Sequence, residues 1–174
     1  VSCANYTFIK NQQELIKQYY ASQESKHCSL VCIGSLPTET YHKCQELVAI
    51  LESQYGHRDV HLLHDIDRAD IPAIINKAWV YLVSSRYEQY SISIIEAMSQ
   101  GTPFVSTNVG NARILPGGIT IDTGADMHKA IDLLASDKAL YNKYSKEGKE
   151  FAYTNCRISA VVEKLEGILF EAVN

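Results

Sequence analysis

Trp79-Val80-Tyr81-Leu82-Val83 leads into the polar stretch Ser84-Ser85-Arg86-Tyr87-Glu88-Gln89-Tyr90-Ser91. Ile92-Ser93-Ile94-Ile95-Glu96-Ala97-Met98-Ser99-Gln100 follows, then Gly101-Thr102-Pro103 and Phe104-Val105-Ser106-Thr107. The first and last pieces are continuous apolar runs, the pattern of strands covered on both faces. Ile94, Ile95 and Met98 fall at helical spacing, and Gly101 and Pro103 end that helix. A strand, a helix and a second strand joined by short turns make a right-handed parallel crossover.

The same alternation extends in both directions. Upstream, Val60-His61-Leu62-Leu63 reads as a strand, and Asp70 caps a short helix carrying Ile71, Ile74, Ile75 and Ala78. Further back, Leu30-Val31-Cys32-Ile33 is a strand broken by Gly34-Ser35-Leu36-Pro37. Cys44, Leu47, Val48, Leu51 and Tyr55 line one helix face, closed by Gly56. Val1 to Ala4 is a short opening strand. Asn11-Gln12-Gln13-Glu14 has the shape of a capping box, ahead of a face of Leu15, Ile16, Tyr19 and Tyr20. Downstream, Ile119-Thr120-Ile121 is a sixth strand. Helices run from about Asp126 to Ala135 and from about Lys138 to Thr154, and a last one carries Ile158, Val161, Val162, Leu165, Leu169 and Ala172 on one face. The expected fold is α/β: a Rossmann-like parallel sheet of about six strands with helices on both faces. Ligands of such sheets bind beyond the carboxyl ends of the strands, so the loops after strands one to five are the ones to inspect.

Composition narrows the function. The chain has 174 residues, 46% apolar and 21% charged, with a net charge of −4. That balance excludes disorder and argues against nucleic acid as the main partner, since phosphate contacts need a cationic face. No apolar run approaches the ~18 residues of a transmembrane segment, and no signal peptide is visible. The five cysteines are odd in number and form no C-x-x-C pair, so they read as free thiols in a reducing compartment. The sequon Asn5-Tyr6-Thr7 reads as chance. The chain opens inside a strand without Met, which suggests residues 1–174 are one domain of a longer protein.

Several residues carry possible chemistry. Glu88 lies in the loop after the fourth strand, and Glu96 sits in the first turns of the following helix. Between them, the amides of Tyr90, Ser91, Ile92 and Ser93 point out of the helix N-terminus, which attracts anions. A phosphate joined to polyhydroxylated groups would use the amides and both carboxylates. Ser93-x-x-Glu96 is equally a capping box. A glycosidase pair needs its carboxyls ~5–9.5 Å apart across one bond, which spacing alone does not establish. Lys10 stands after the first strand, on the same rim. Gly110, in Thr107-Asn108-Val109-Gly110-Asn111, allows either close backbone approach to a ligand or an ordinary turn. Asp65-Ile66-Asp67 has the look of a metal-bound nucleotide-sugar site, but acidic residues are routine between a strand and a capped helix, so no metal site is expected. His61 and His64 do not share a strand face. Neither G-x-G-x-x-G nor a phosphate-binding P-loop occurs.

Together these segments resemble the donor-binding half of retaining, GT-B-fold glycosyltransferases of group 1, or family 4. Glu88 to Glu96, with Ala97-Met98-Ser99-Gln100-Gly101-Thr102-Pro103-Phe104-Val105, is similar to that class's E-x7-E segment and its tail. Ala4-Asn5-Tyr6 with Lys10-Asn11-Gln12 is similar to its first strand and turn, and Thr107 to Asn111 to its glycine-containing loop. The resemblance implies that Lys10 and the amides around Tyr90 to Ser93 contact a donor diphosphate. It implies that Glu96 holds the ribose, that Glu88 meets the transferred sugar, and that backbone near Asp65 and Ile66 meets the base. No metal is obligatory in that class. Three positions depart from it. Asn5 and Tyr6 stand where an Arg is common, Tyr90-Ser91 replaces Phe-Gly, and Arg113-Ile114 replaces a Glu after the glycine loop. Arg113 is a candidate for the missing positive charge.

The expected function follows from that resemblance. The chain would be the C-terminal half of a GT-B enzyme, binding a nucleotide-diphosphate sugar, UDP-sugar favoured. It would serve retaining transfer of a hexose to a saccharide or lipid-linked acceptor, as in polysaccharide biosynthesis. The acceptor-binding N-terminal domain lies outside the chain, so the fragment alone would transfer nothing efficiently. The intact enzyme would be cytoplasmic, or peripheral to the inner membrane surface. The rivals are a GT-B sugar epimerase or phosphorylase, and a non-catalytic domain that binds a nucleotide or a partner protein.

Overall fold

The computed structural model describes residues 1–122 and 126–173. Six strands alternate with seven α-helices: β1 Ser2–Cys3, α1 Gln12–Ala21, β2 Leu30–Gly34, α2 Glu39–Tyr55, β3 Val60–His64, α3 Ile71–Lys77, β4 Tyr81–Val83, α4 Ile92–Gln100, β5 Phe104–Thr107, β6 Gly118–Ile121, α5 Met127–Ser136, α6 Lys138–Asn155 and α7 Ile158–Val173. All strand pairs are parallel. They form two three-stranded sheets, with β2 central in one and β5 central in the other. The expected six strands are present, but the ladder is interrupted between β1 and β4. There the Leu82 amide donates to Val1 O, and Val1 N donates to Val80 O, both at 2.8 Å. Tyr81 Oη bridges the gap, accepting from the Cys3 amide and donating to the Cys3 carbonyl. The spatial order is therefore β3-β2-β1-β4-β5-β6, and connections leave in opposite directions from the β1/β4 seam, where ligands bind in such sheets.

Side-chain alternation on the strands builds two cores. Leu30, Cys32, Leu82, Val105 and Ile121 face α1, α2 and α5, while Ile33, Tyr81, Val83 and Phe104 face α3, α4 and α6. The period of two sends neighbouring strand residues to opposite layers, which is why both faces need helices.

The sequence mis-assigns several local details. Trp79 is not in β4: its ring stacks on Tyr141, 5.8 Å between centroids, and its carbonyl accepts the Tyr141 hydroxyl rather than a ladder amide. Asn11 precedes α1 in the left-handed region, φ 58°, without capping it, because its Oδ1 instead accepts from Arg86 Nη2 at 3.0 Å. Asp70 occupies the position before α3 but makes no side-chain cap. Ser93 lies inside α4, whose N-cap is Ser91, so the Ser93-x-x-Glu96 capping box does not form. The apolar face of α7 stands in solvent, with Ile158 84% and Phe170 75% exposed. Packing against the core described here does not account for it. Among the described residues no helix is long and apolar enough to cross a membrane.

Candidate functional site

The seam between β1 and β4 opens at the carboxyl ends of the strands into a crevice. Its larger part, about 590 Å³, runs past Cys3 to Asn5, Ile33 to Ser35, Ile66, Arg68, the N-terminal half of α3, and Ser93, Glu96, Ser99 and Gln100 of α4. A smaller part of about 250 Å³ is lined by Lys10, Ser84, Ser85 and Glu88, and shares Cys3, Ala4, Asn5 and Ser93 with the first. Ser93, in the first turn of α4, is thus common to both. Glu96 stands on one side of it, Lys10 and Glu88 on the other.

Each wall has an identifiable support. Gln12, buried in the first turn of α1, donates from Nε2 to Ala4 O at 3.1 Å and Asn5 O at 2.8 Å, fixing the strand exit. Asn5 Oδ1 accepts from Ser35 Oγ and the Ser35 amide, tying the first loop to the second. Tyr6 turns inward, with its hydroxyl donating to Cys32 O and Leu63 O. Gly34 leaves room for that ring: a Cβ there would collide with Tyr6 Cδ2. The fourth loop is stitched to the first by Ser84 Oγ, which donates to Lys10 O and Asn11 O, and by the Arg86 amide, which donates to Ile9 O.

These supports bring Lys10 and Glu88, 78 residues apart in the chain, together. Lys10 Nζ lies 2.5 Å from Glu88 Oε1, with the side chains 29% and 12% exposed. Ser85 Oγ donates to the same carboxylate oxygen at 2.7 Å. Glu96 is 48% exposed, and Arg68 Nη2 lies 3.9 Å from it. Ile92 and Ser93 open α4, so their amides have no acceptor within the helix. The Ser91 amide differs, since it donates to Asn111 Oδ1 at 2.7 Å in a buried contact and is not available to an anion. Tyr90 is exposed on the rim. On the floor, burial pushes the Cys3 thiol up to about 11, so it stays protonated and is no nucleophile at neutral pH.

The remaining candidates divide. Ile66 lines the crevice. Asp65 is exposed, with a left-handed backbone, and its carboxylate lies 2.8 Å from His64 Nδ1. Gly110, φ 54°, backs the loop carrying Glu88 rather than facing open space. Arg113 sits exposed on a 3-10 turn, Ala112–Ile114, outside the crevice lining. Arg68, which the sequence reading passed over, does line it. Its signal was its place, directly after Asp65-Ile66-Asp67 at the exit of β3. Gln12 and Asn111 were also missed, because their roles need partners that only the folded chain brings near. Among the described residues no group of three His, Cys, Asp or Glu side chains is placed to hold a metal ion.

Solved structures share this fold at low sequence identity. HepE of Anabaena, in a complex with UDP, superposes with a TM-score of 0.82 and 16% identity over 98% of this chain and 48% of its own. Sucrose-phosphate synthase of Thermosynechococcus elongatus gives 0.76 and 20% over 98% and 45%. The C-terminal domain of LpcC, a glycosyl transferase group 1 family protein of Francisella tularensis, gives 0.79 and 19% over 90% and 85%. The chain thus spans about half the length of the first two, and most of the isolated C-terminal domain. No curated protein matches the sequence significantly. The family described as glycosyl transferases group 1 matches residues 1–137, all six strands and the whole crevice lining, and the chain belongs to that family.

Proposed function

We propose that this chain is the donor-binding half of a longer retaining glycosyltransferase, and that its crevice takes a nucleotide-diphosphate sugar. The observation that carries the reading is the meeting of Lys10 with Glu88 at one end of a crevice that holds Glu96 at the other. A diphosphate across the α4 N-terminus would meet the amides of Ile92 and Ser93 and the Lys10 ammonium. Glu96 would accept from the ribose hydroxyls, and Ile66 would wall the base. Glu88 would accept from a hydroxyl of the sugar. Arg68, rather than Arg113, supplies the second positive charge. UDP is the favoured nucleotide, a preference supported by its presence in HepE.

The chemistry is electrostatic. As the bond from the anomeric carbon to the diphosphate oxygen breaks, negative charge grows on the departing phosphate. Lys10 and the fixed amides stabilise that charge without reorganising. The acceptor oxygen bonds to the anomeric carbon on the face the diphosphate leaves, and its proton passes to the departing phosphate. No metal is needed for this route. The hexose would pass to a saccharide or lipid-linked acceptor held by the other half of a cytoplasmic enzyme, peripheral to the membrane where the acceptor is a lipid.

Calorimetry of this chain with UDP, GDP, ADP and their glucose esters tests the reading. One series should bind at sub-millimolar concentration. Lys10→Ala should weaken it about tenfold, the scale of one charge-assisted hydrogen bond. If no nucleotide binds at millimolar concentration, the crevice is not a donor site and a non-catalytic role replaces it.

A further inference from the structure

The last residue of β5 and the turn that follows it grip the β4–α4 loop at three points, from outside the crevice. Thr107 Oγ1 donates to Ser85 O at 2.6 Å. Gly110 lies so close behind the loop that a Cβ would sit 3.0 Å from Gln89 O and 3.1 Å from Glu88 Cβ. Asn111, 5% exposed, accepts the Ser91 amide at 2.7 Å. None of the three lines the crevice. The grip still reaches the reacting end of the site. Ser85, held by Thr107, donates to the Glu88 carboxylate, and Ser91 is the residue from which α4 starts.

The unused capacity of Asn111 sharpens this. Its Nδ2 is buried with no hydrogen-bond partner in the described structure, so only its acceptor is engaged. A buried donor left unpaired is destabilising. An Asn whose one contact is an acceptor contact therefore serves the amide it receives.

We propose that the Thr107–Asn111 turn is the frame that aims Glu88 and the first turn of α4 at the sugar end of the donor, with Asn111 as the positioning residue. The inference rests on the nucleotide-sugar reading above and deepens it. It assigns discrimination of the sugar to a turn that does not touch the sugar. The mechanism is geometric. A carboxylate accepting one hydroxyl within hydrogen-bond distance loses that contact when its loop moves by an ångström. The nucleoside, held by Glu96 and Ile66 away from the turn, does not depend on the grip.

The test compares three ligands on the intact chain: the best-binding nucleoside diphosphate among UDP, GDP and ADP, its monophosphate, and its glucose ester. Affinities are measured for the parent chain, Asn111→Ala and Asn111→Asp. Asn111→Ala should cut the extra affinity contributed by the glucosyl group about tenfold, while the monophosphate changes less than twofold. Asn111→Asp keeps the acceptor for the Ser91 amide and should restore the glucosyl increment to within about threefold of the parent. Thermal melts of both variants establish that each is folded. Gly110→Ala, which pushes a methyl group against the Glu88 loop, should repeat the Asn111→Ala pattern. A parent chain that binds no nucleotide overturns the donor-site reading itself. A parent that binds, with Asn111→Ala and Gly110→Ala keeping the full glucosyl increment, overturns the positioning role alone. Equal loss of all three ligands in folded Asn111→Ala also overturns it, because the turn would then support the whole site rather than its sugar end.

Discussion

Lys10 and Glu88 are opposite charges in contact, yet their stabilising effect on the fold is small. The side chains are mostly buried, so the water they give up offsets much of their mutual attraction, and holding two long side chains in one geometry costs entropy. Their value lies in what each does to a bound anion. Glu88 lowers the attraction of the crevice for a bare diphosphate, because it engages the ammonium and adds a negative charge. With a sugar present, the same carboxylate gains a hydroxyl donor. Glu88→Gln separates these effects with almost no change in shape. Its amide oxygen still accepts from Ser85 Oγ, while the ion pair and the negative charge are gone. The expected outcome is severalfold tighter binding of the nucleoside diphosphate and a glucosyl increment reduced about tenfold. Titration calorimetry of the two ligands checks it. Tighter binding of both ligands would mean that Glu88 does not touch the sugar.

At the scale of elements, helix starts show what the sequence conveys and what it hides. Capping-type residues precede each of α1 to α6, but among the described residues only Thr38 before α2 and Asp137 before α6 use their side chains on a helix amide. Thr38 Oγ1 accepts the Tyr41 amide at 3.4 Å, and Asp137 Oδ1 accepts the Leu140 amide at 2.8 Å. Asp137→Ala should therefore lower stability by about 1 kcal/mol. Asn11→Gly should be close to neutral despite the similar sequence context. Glycine adopts the φ of 58° without strain, which offsets its larger freedom in the unfolded chain and the lost Arg86 contact. Chemical denaturation of the two variants checks the contrast. The order of strands and helices was legible because apolar runs and 3.6-residue stripes are local signals. The E-x7-E spacing placed Glu88 and Glu96 on one crevice for the same reason: a short loop and a helical turn fix their separation. The Asn11 geometry, the Ser91–Asn111 contact and the place of Arg68 were not legible. Each depends on which loop lies beside which after the sheet closes, and neighbouring residues carry no trace of that. The break between β1 and β4 is of the same kind, since both strands look ordinary in sequence and only the folded chain puts the Tyr81 hydroxyl in the seam.

Across the whole molecule, burial is uneven, and α7 is where it fails. The two cores enclose residues from every strand and from α1 to α6. Among the described residues, no α7 side chain joins either core. Its main contact is with α6, aided by Lys164 Nζ donating to Asn155 Oδ1 at 3.1 Å. Ile158, Leu165, Ile168, Leu169 and Phe170 are all more than half exposed. Helical spacing puts Ile158, Leu165 and Leu169 on one stripe, an apolar surface of the kind that drives association. The sequence signalled the stripe correctly. It did not say against what the stripe packs, because amphipathicity marks a face for burial without naming the cover. Because α7 adds little to either core, ending the chain at Asn155 should leave the melting temperature within a few degrees of the parent. Because α7 is absent from the crevice lining, nucleotide affinity should stay within about twofold. Self-association at high concentration, read by sedimentation velocity, should fall when the stripe is removed. A large drop in melting temperature would instead show that α7 supports α6, which holds the back of α4 through Ala152 and Gly148 against Met98, and thereby the crevice itself.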